Sequence, residues 1–162
     1  MTMNKGVTIC VDVGNTSVKV DLAGPEGIEM LGAEPTRRPQ SSARIKKLLR
    51  STRPTLPDQF DVILCTVVPE MGKVMREVLA ETLGVKPFSI RHTCRFPFEL
   101  GVEHPAKVGP DRLCAAAGAF AGHAGQRTEN AIVVDIGSAV TVDLVHRRRF
   151  CGGLILVGPA LG

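Results

Sequence analysis

Short apolar runs alternate with turn residues at the beginning of the chain. The runs at residues 7–12 and 16–22 flank Gly14 and Asn15, and a third run lies near residues 28–31. Runs of this length that are bounded by glycine, proline and asparagine are typical of strands joined by tight turns. The chain is therefore predicted to open with a three-stranded meander.

The next part of the chain combines a helix pattern with a strand pattern. Ser41 or Ser42 is predicted to cap a short helix that ends near Arg50, because serine oxygens accept the first helical N–H groups. The continuous apolar run DVILCTVV at residues 61–68 is too short for a typical helix and predicts a buried strand.

An amphipathic helix is predicted directly after that strand. Pro69 suits the first helical turn, and Gly84 suits the C-terminal end. Between them the apolar residues recur at three- and four-residue spacing, which is the period of one helix face. These apolar positions are Met71, Val74, Met75, Val78, Leu79 and Leu83.

The remaining segments continue the alternation of helices and strands. The complete predicted order is three strands, helix, strand, helix, strand, helix and a second three-stranded meander. Such an order is typical of an α/β protein. The later elements are a strand at 85–90, a loop at 92–110, a helix from Asp111 to Ala124 and strands at 131–136, 139–145 and 150–156.

The turn of the first meander recurs in the second. The sequence VVDIGSAVTVD at residues 133–143 resembles CVDVGNTSVKVD at residues 10–21. Asp12 and Asp135, the first aspartates of the two copies, lie 123 residues apart. This distance is about the length of a compact domain, so the sequence predicts two copies of one α/β unit.

The two copies define the predicted domains. Residues 1–124 are assigned to the first domain, and residues 125–162 to the start of a second, incomplete domain. The second copy has a meander but no helices after it to cover the sheet. We therefore expect either a chain that lacks part of the second domain or another element that supplies the missing layer.

Composition and charge narrow the classes of protein that fit. Of the 162 residues 44% are apolar, and the net charge of +4 favours anionic partners. The only apolar run in the first 22 residues contains Asp12 and Lys19, is too short for a membrane span and lacks a signal-peptide cleavage pattern, so a cytoplasmic location is expected. The five cysteines form no CxxC pair and are expected to be reduced and largely buried.

The repeated turn contains residue types suited to a phosphate site. Small residues after an aspartate let backbone N–H groups approach an anion. Asp12 and Asp135 could each hold Mg²⁺, and Lys19 could contact a phosphate oxygen. Two such ribbons across a cleft would hold both ends of a triphosphate. The alternative is an ordinary hairpin turn without a ligand. Side-chain donors in the two turns are Asn15, Thr16, Ser138 and Thr141.

The segment HPAKVGPDRLCAAAGA places two charged residues at a predicted helix start. Asp111 could be an N-terminal helix cap, with Arg112 paired to a surface carboxylate. Alternatively, Asp111 could act as a general base for a substrate hydroxyl, and Arg112 could bind an acidic or polar group of the substrate. The spacing alone favours the helix cap.

These motifs together resemble the type III pantothenate kinases of bacteria, in the actin-like, sugar-kinase and Hsp70 ATPase superfamily. The VVP-type motif of that family is matched by CTVVP, the DxGTAxTxD motif by DIGSAVTVD and the GGxIxPG motif in part by GGLILVG. The DxGNTxxK motif is matched by Asp12, Gly14, Asn15, Thr16 and Lys19, and the PxxVGxDR motif by Pro105, Val108, Gly109, Asp111 and Arg112.

The resemblance implies a fold and a reaction. The expected fold is an α/β, actin-like ATPase (ribonuclease H-like) domain. The expected reaction is ATP-dependent phosphorylation of pantothenate to 4′-phosphopantothenate, the first step of coenzyme A biosynthesis. The resemblance also implies Mg²⁺, a monovalent cation such as K⁺ or NH₄⁺, and a homodimer. Neither nucleic acid nor a membrane is an expected partner.

The resemblance also implies roles for individual residues. Asp111 is the expected catalytic base, and it contacts the substrate together with Gly109 and Arg112. Asp12 and Asp135 are the expected metal ligands. The expected nucleotide-binding residues are Asp12, Gly14, Asn15, Thr16 and Lys19 in the first turn and Gly137, Ser138 and Ala139 in the second.

The sequence departs from the family pattern at three positions. Ser138 replaces a threonine and keeps the hydroxyl, Val157 replaces a proline, and Val102 replaces an aromatic residue before the proline. Two other functions were considered: a non-catalytic family member with a regulatory or accessory role, for example in transcription, and another small-molecule kinase of the superfamily. The Arg147–Arg149 run is interpreted as a solvated turn, because the chain has no Trp or Tyr for base stacking.

Overall fold

The computed structural model of the chain describes residues 6–123 and 129–159, except for the side chains of residues 122 and 123. It divides into two compact units, Met1–Ile90 and Arg91–Gly162, which we call the first and second units. This division differs from the domain assignment of residues 1–124 and 125–162. The difference arises because the helix before residue 124 packs on the second sheet. The sequence-based boundary stays a prediction about the repeat.

The first unit is a five-stranded mixed sheet with two helices. Its elements are β1 (Val7–Val13), β2 (Ser17–Gly24), β3 (Gly27–Pro35), α1 (Ser41–Thr52), a 3-10 turn (Arg53–Thr55), β4 (Phe60–Thr66), α2 (Pro69–Leu83) and β5 (Phe88–Ser89). Strands β1, β2 and β3 form the predicted antiparallel meander. Strand β4 pairs parallel with β1, and β5 pairs parallel with β4, so the strand order is β3-β2-β1-β4-β5.

The core of the first unit lies between one face of this sheet and both helices. Alternate residues of β1 are buried, because successive side chains of a strand point to opposite faces. Helix α2 buries Met75, Val78, Leu79 and Leu83 of its predicted apolar face, whereas Val74 is 39% exposed. The helix ends before Gly84, whose φ of +71° suits a glycine. The fully buried side chains include Ile9, Val13, Val18, Val20, Ile45, Leu49, Leu64, Met75 and Leu79.

Two details of the first unit differ from the predictions. Neither Ser41 nor Ser42 caps α1: the N-cap position is Gln40, which makes no capping bond. The Ser41 hydroxyl instead donates to the carbonyl oxygen of Pro35 at 2.6 Å. Strand β5 has two residues rather than the predicted six, and it begins after Pro87, which has no N–H to donate to a sheet.

The second unit is a four-stranded sheet with one helix on it. Its elements are β6 (Glu99–Leu100), a 3-10 turn (Pro105–Lys107), α3 (Pro110–His123), β7 (Ala131–Ile136), β8 (Ala139–His146) and β9 (Arg149–Val157). The predicted second meander is confirmed, and the short strand β6 from the predicted loop joins its edge, so the strand order is β6-β9-β8-β7. Ala124, the predicted end of the helix, lies outside the described residues.

The two faces of the second sheet have different environments. On one face α3 packs through Leu113, Ala116 and Phe120, together with Phe98, Val145 and Phe150. The opposite face, which we call the open face, carries apolar side chains that are 41–72% exposed. Its members are Ile132, Val134, Ile136, Leu144, Leu154 and Leu156.

The cysteines are less buried than expected. Cys65 is buried, whereas Cys151 on β9 is exposed and lies outside the core of the second unit. The other three are partly buried. Within the described ranges, no helix has the length and apolar character needed to cross a membrane.

Candidate functional site

The first repeated turn joins β1 to β2 at residues 14–16. Asp12 is half-buried near the end of β1, and its cross-strand partner is the exposed Lys19. The Gly14 N–H donates to the carbonyl oxygen of Ser17 at 3.0 Å and closes the turn. Asn15 and Thr16 are exposed at its tip. The sequence-predicted residues of the first turn thus lie together at one end of the first sheet.

A residue outside the motif braces this turn. The Thr36 hydroxyl donates to the carbonyl oxygen of Gly14 at 2.7 Å, and the Thr36 N–H donates to the carbonyl oxygen of Thr16 at 2.9 Å. Thr36 is 3% exposed, so these bonds are shielded from water. Sequence reasoning missed Thr36, because no local pattern relates it to a turn 20 residues earlier.

The braced turn borders a pocket of about 430 Å³ in the first unit. Asn15, Thr16, Pro35, Arg37 and Arg38 line it. Two of these five residues carry guanidinium groups and none carries a carboxylate. The pocket therefore favours an anionic ligand.

The second repeated turn is shorter and lies in the second unit. Its two turn residues are Gly137 and Ser138, and the Gly137 N–H donates to the carbonyl oxygen of Ala139 at 3.0 Å. Asp135 is exposed on β7, and its cross-strand partner is Thr141. The second ribbon thus has a hydroxyl where the first has the Lys19 ammonium. Gly137 is partly buried and Ser138 is exposed at this turn.

Asp111 lies in the first turn of α3, in the same unit as the second repeated turn. Pro110 is the first helical residue, so Asp111 is one residue inside the helix and not at the N-cap position. Its Oδ1 accepts the Arg112 N–H at 2.8 Å. Asp111 is therefore not the helix cap of the alternative interpretation, although a carboxylate in the first turn complements the helix dipole. Asp111 is only half-buried, so it stays accessible to a ligand.

Arg112 forms a two-pronged ion pair with Asp143 of β8. Its Nε donates to Asp143 Oδ2 at 3.0 Å, and its Nη2 donates to Asp143 Oδ1. Asp143 is 2% exposed, and its hydrogen bond raises the pKa of Arg112 above the ordinary value. The partner of Arg112 is thus a buried carboxylate, and not the surface carboxylate of the structural alternative.

Sequence reasoning also missed Asp143. A signal was present, because each copy of the repeat ends in a second aspartate, Asp21 in the first and Asp143 in the second. The pairing itself was not visible, since Asp143 and Arg112 are 31 residues apart. Arg112 can contact a substrate only through the N–H groups that Asp143 leaves available.

The predicted site residues fall into two groups, one in each unit. Among the described residues, no three His, Cys, Asp or Glu side chains gather into a metal-ligating cluster. Nucleotide-bound Mg²⁺ needs only one or two carboxylates besides phosphate oxygens, so each of the two carboxylates, Asp12 in the first unit and Asp135 in the second, has the chemistry for such a role by itself. The first unit holds Asp12, Gly14, Asn15, Thr16 and Lys19, and the second holds Gly109, Asp111, Arg112, Asp135, Gly137, Ser138 and Ala139.

Comparison with known proteins supports the sequence motifs. The model of a family described as type III pantothenate kinase matches residues 8–162. Similar relatives carry the name type III pantothenate kinase in Desulfovibrio desulfuricans, at 31% identity over 156 residues, and in Thermus thermophilus, at 30% over 154 residues. The matches cover 91% and 93% of this chain but 57% and 60% of the relatives. The chain therefore spans less than two thirds of their length.

Solved structures resemble the fold at low sequence identity. An Aquifex aeolicus member of the Ppx/GppA family gives a TM-score of 0.51 at 10% identity, covering 94% of this chain and 52% of that one. The ethanolamine utilization protein EutJ from Carboxydothermus hydrogenoformans gives 0.50 at 12% identity, covering 94% and 53%. Such identities show the fold alone. Because these proteins have the actin-like ATPase fold, the predicted fold class is confirmed.

Proposed function

The chain belongs to the type III pantothenate kinase family, and from that premise we propose that its protein transfers the γ-phosphoryl group of ATP to the hydroxyl of pantothenate. The product is 4′-phosphopantothenate, and the reaction opens coenzyme A biosynthesis. The observation that carries this proposal is the match of the family model to residues 8–162, which includes both repeated turns and the segment around Asp111.

Asp111 is the proposed general base. In the transfer, the hydroxyl oxygen of pantothenate forms a bond to the γ-phosphorus, the bond from that phosphorus to the β-phosphate oxygen breaks, and ADP leaves. The hydroxyl proton moves to the Asp111 carboxylate. Oδ1 of Asp111 already accepts the Arg112 N–H, so we assign the proton to Oδ2. A positioned carboxylate is suited to this role in phosphoryl transfer to an alcohol.

Arg112 and Gly109 are the proposed substrate contacts. Because Nε and Nη2 of Arg112 bind Asp143, the Nη1 group is the part of the guanidinium proposed to contact the pantothenate carboxylate. Asp143 limits the rotamers of Arg112 and thereby reduces the entropy lost when substrate binds. Gly109 directly precedes α3 and has no side chain to fill the space beside Asp111.

The two repeated turns are the proposed nucleotide-binding elements. In the first turn, Lys19 is exposed on the strand opposite Asp12 and supplies a positive charge for a phosphate oxygen. Asp12 and Asp135 are proposed to hold Mg²⁺, which supplies charge neutralisation at the phosphates. Asn15, Thr16 and Ser138 offer side-chain donors, and the small residues Gly137 and Ala139 are proposed to leave room for a phosphate beside the second turn.

Further properties follow from the family resemblance alone. We propose that the protein uses a monovalent cation, K⁺ or NH₄⁺, works as a homodimer and is located in the cytoplasm. These proposals are tested by the cation dependence of turnover, by the mass of the protein in solution and by cell fractionation.

The test of the proposed function is pantothenate-dependent release of ADP by the purified chain with Mg²⁺ and K⁺. We expect Asp111→Asn to lower kcat by about 100-fold or more, because it removes the base but keeps size and polarity. Asp58→Asn, an exposed loop position in the first unit, is the matched control and should leave kcat unchanged.

Two results would contradict this proposal. Full turnover by a folded Asp111→Asn variant would refute the role of Asp111 as the base. Absence of pantothenate-dependent ADP release from the folded wild-type chain would refute the kinase activity of the chain and favour the regulatory or accessory alternative. The folded state of each variant is checked by circular dichroism.

A further inference from the structure

Arg37 and Arg38 lie in the loop between β3 and α1, outside every motif of the sequence. Both are exposed, and both line the pocket that the first repeated turn borders through Asn15 and Thr16. Their position places two guanidinium groups beside a turn whose composition suits phosphate.

Hydrogen bonds order the loop on both sides of the two arginines, and those of Thr36 also attach it to the first turn. Thr36, immediately before them, donates its hydroxyl and its N–H to Gly14 and Thr16. Ser41, after them, is 1% exposed and donates its hydroxyl to the carbonyl oxygen of Pro35. The Ser41 N–H also donates to the carbonyl oxygen of Arg38 at 3.1 Å. The backbone of this loop is thus fixed relative to the turn.

The charges of the two arginines are not neutralised locally. Residues 35–43 contain no Asp or Glu. The nearby Arg44 pairs with Glu34 at 3.5 Å, whereas none of the ion pairs found among the described residues includes Arg37 or Arg38. Like charges on adjacent residues repel each other, and an anion bound between them removes that repulsion.

We propose that Arg37 and Arg38 bind the phosphate chain of the nucleotide at the first repeated turn. The planar guanidinium offers paired donors that match phosphate oxygens. The turn contributes Asn15 and Thr16 to the lining of the pocket, and Arg37 and Arg38 contribute positive charge to the same lining. The identity of the ligand as a nucleotide rests on the proposed function, and the anion-binding role rests on the pocket itself.

The test is direct binding of ATP and of inorganic triphosphate to the 162-residue chain, measured by isothermal titration calorimetry. The double variant Arg37→Ala/Arg38→Ala should bind both ligands at least about tenfold more weakly, since it removes charge-assisted hydrogen bonds. The charge-matched control Arg44→Ala/Arg50→Ala removes two exposed arginines of α1 in the same unit. This control should bind within about twofold of wild type, because neither arginine lines the pocket and exposed charges outside it are screened by salt.

The outcomes separate this inference from the kinase proposal. Equal weakening by both double variants would reduce the effect to general electrostatics and overturn the site. Unchanged affinity in Arg37→Ala/Arg38→Ala, or no binding of either ligand to the wild-type chain, would also overturn it. Selective weakening without any pantothenate-dependent ADP release would support the arginine site while the kinase proposal fails. Binding of triphosphate but not ATP would support an anion site and refute its assignment to a nucleotide.

Discussion

Ile9 and Ile132 occupy the same position in the two copies of the repeated strand, yet Ile9 is fully buried and Ile132 is 72% exposed. In the first unit, α1 and α2 cover the face of the sheet that carries Ile9. In the second unit, α3 covers the opposite face. Equivalent patterns of apolar residues thus specify equivalent strands, but not the layer that packs on them. The same contrast separates Val11 from Val134 and Val13 from Ile136.

The two ribbons also differ in the groups around their turns. The first turn is braced by the buried Thr36 and has Lys19 opposite its aspartate. The second turn lies on the strand pair whose Asp143 binds Arg112 at the start of α3. The repeat therefore keeps a common backbone device while its surroundings differ. The first copy places the Lys19 ammonium beside its turn. The second copy connects its sheet, through Asp143, to the helix that carries the proposed base.

The largest expected difference between the units is in the response to a cavity. Ile9→Ala should lower the free energy of unfolding of the first unit by about 2–5 kcal/mol, because a fully buried side chain is lost. Ile132→Ala should cost less than about 1 kcal/mol, because most of that side chain is exposed. Amide hydrogen exchange, measured in each unit over a series of urea concentrations, gives both free energies of unfolding. A large cost for Ile132→Ala would mean that the open face is covered in solution.

The second prediction concerns the ion pair that the second copy has. Asp143→Asn should destabilise the second unit by about 3 kcal/mol, because it leaves the Arg112 guanidinium without its buried counter-charge. Asp21→Asn, the equivalent change in the first copy, should alter the free energy of unfolding by less than about 0.5 kcal/mol. Hydrogen exchange of the α3 and β8 amides reports the change. Equal effects of the two substitutions would show that the pair adds little to the second unit.

The third prediction concerns the brace that the first turn has. Thr36→Val keeps the shape of the side chain but removes the hydrogen bond to the Gly14 carbonyl, and should cost the first unit about 1 kcal/mol. Thr55→Val is the control, because its hydroxyl makes an exposed bond to the Thr52 carbonyl. The thermal midpoints of the two variants are compared. If the control loses as much stability as Thr36→Val, burial of the brace has no special effect.

The smallest expected effect is a pH-dependent change in stability, and it comes from an ion pair between α1 and α2 in the first unit. A hydrogen bond from Lys46, at 2.8 Å, lowers the pKa of Glu81 below its ordinary value of 4.5. The pair's stabilisation is therefore present above the ordinary pKa and is lost as the pH falls through the lower folded pKa. The effect is small because both side chains are solvent-accessible.

Glu81→Gln tests this pH dependence. The wild-type chain should unfold at a slightly higher temperature than the variant at neutral pH, and this advantage should disappear in acid. The comparison is made by thermal unfolding over a series of pH values. A difference that stays constant over the whole series would exclude titration of Glu81 as its cause.

Helix α2 shows which features could be predicted from the sequence. Its spacing, the proline at its first turn and the glycine after its end are local signals, and the observed bounds, Pro69–Leu83, agree with them. Strand β5 and the cap of α1 were predicted incorrectly, because Pro87 interrupts pairing and the Ser41 hydroxyl binds a carbonyl of the preceding loop instead. Local rules fail where a distant or competing partner takes the hydrogen bond.

The candidate site follows the same rule: residues in contiguous motifs could be predicted from the sequence, and their distant partners could not. The repeated Asp-x-Gly turns and the Asp111–Arg112 pair are contiguous, so their residue types were visible in the sequence. Thr36 and Asp143 were not assigned, because each acts through a residue 20 or more positions away. Arg37 and Arg38 were not assigned either, because their place beside the first turn depends on the bonds of Thr36 to Gly14 and Thr16.

The sequence by itself determined the two meanders, the buried strand β4, the helices and the family, since these depend on neighbouring residues and on their order. The tertiary structure decided which face of each sheet is buried, which carboxylate holds Arg112 and which loop borders the first turn. The physical reason is that burial and pairing depend on segments far apart in the chain, and their free energies appear only when those segments are packed together.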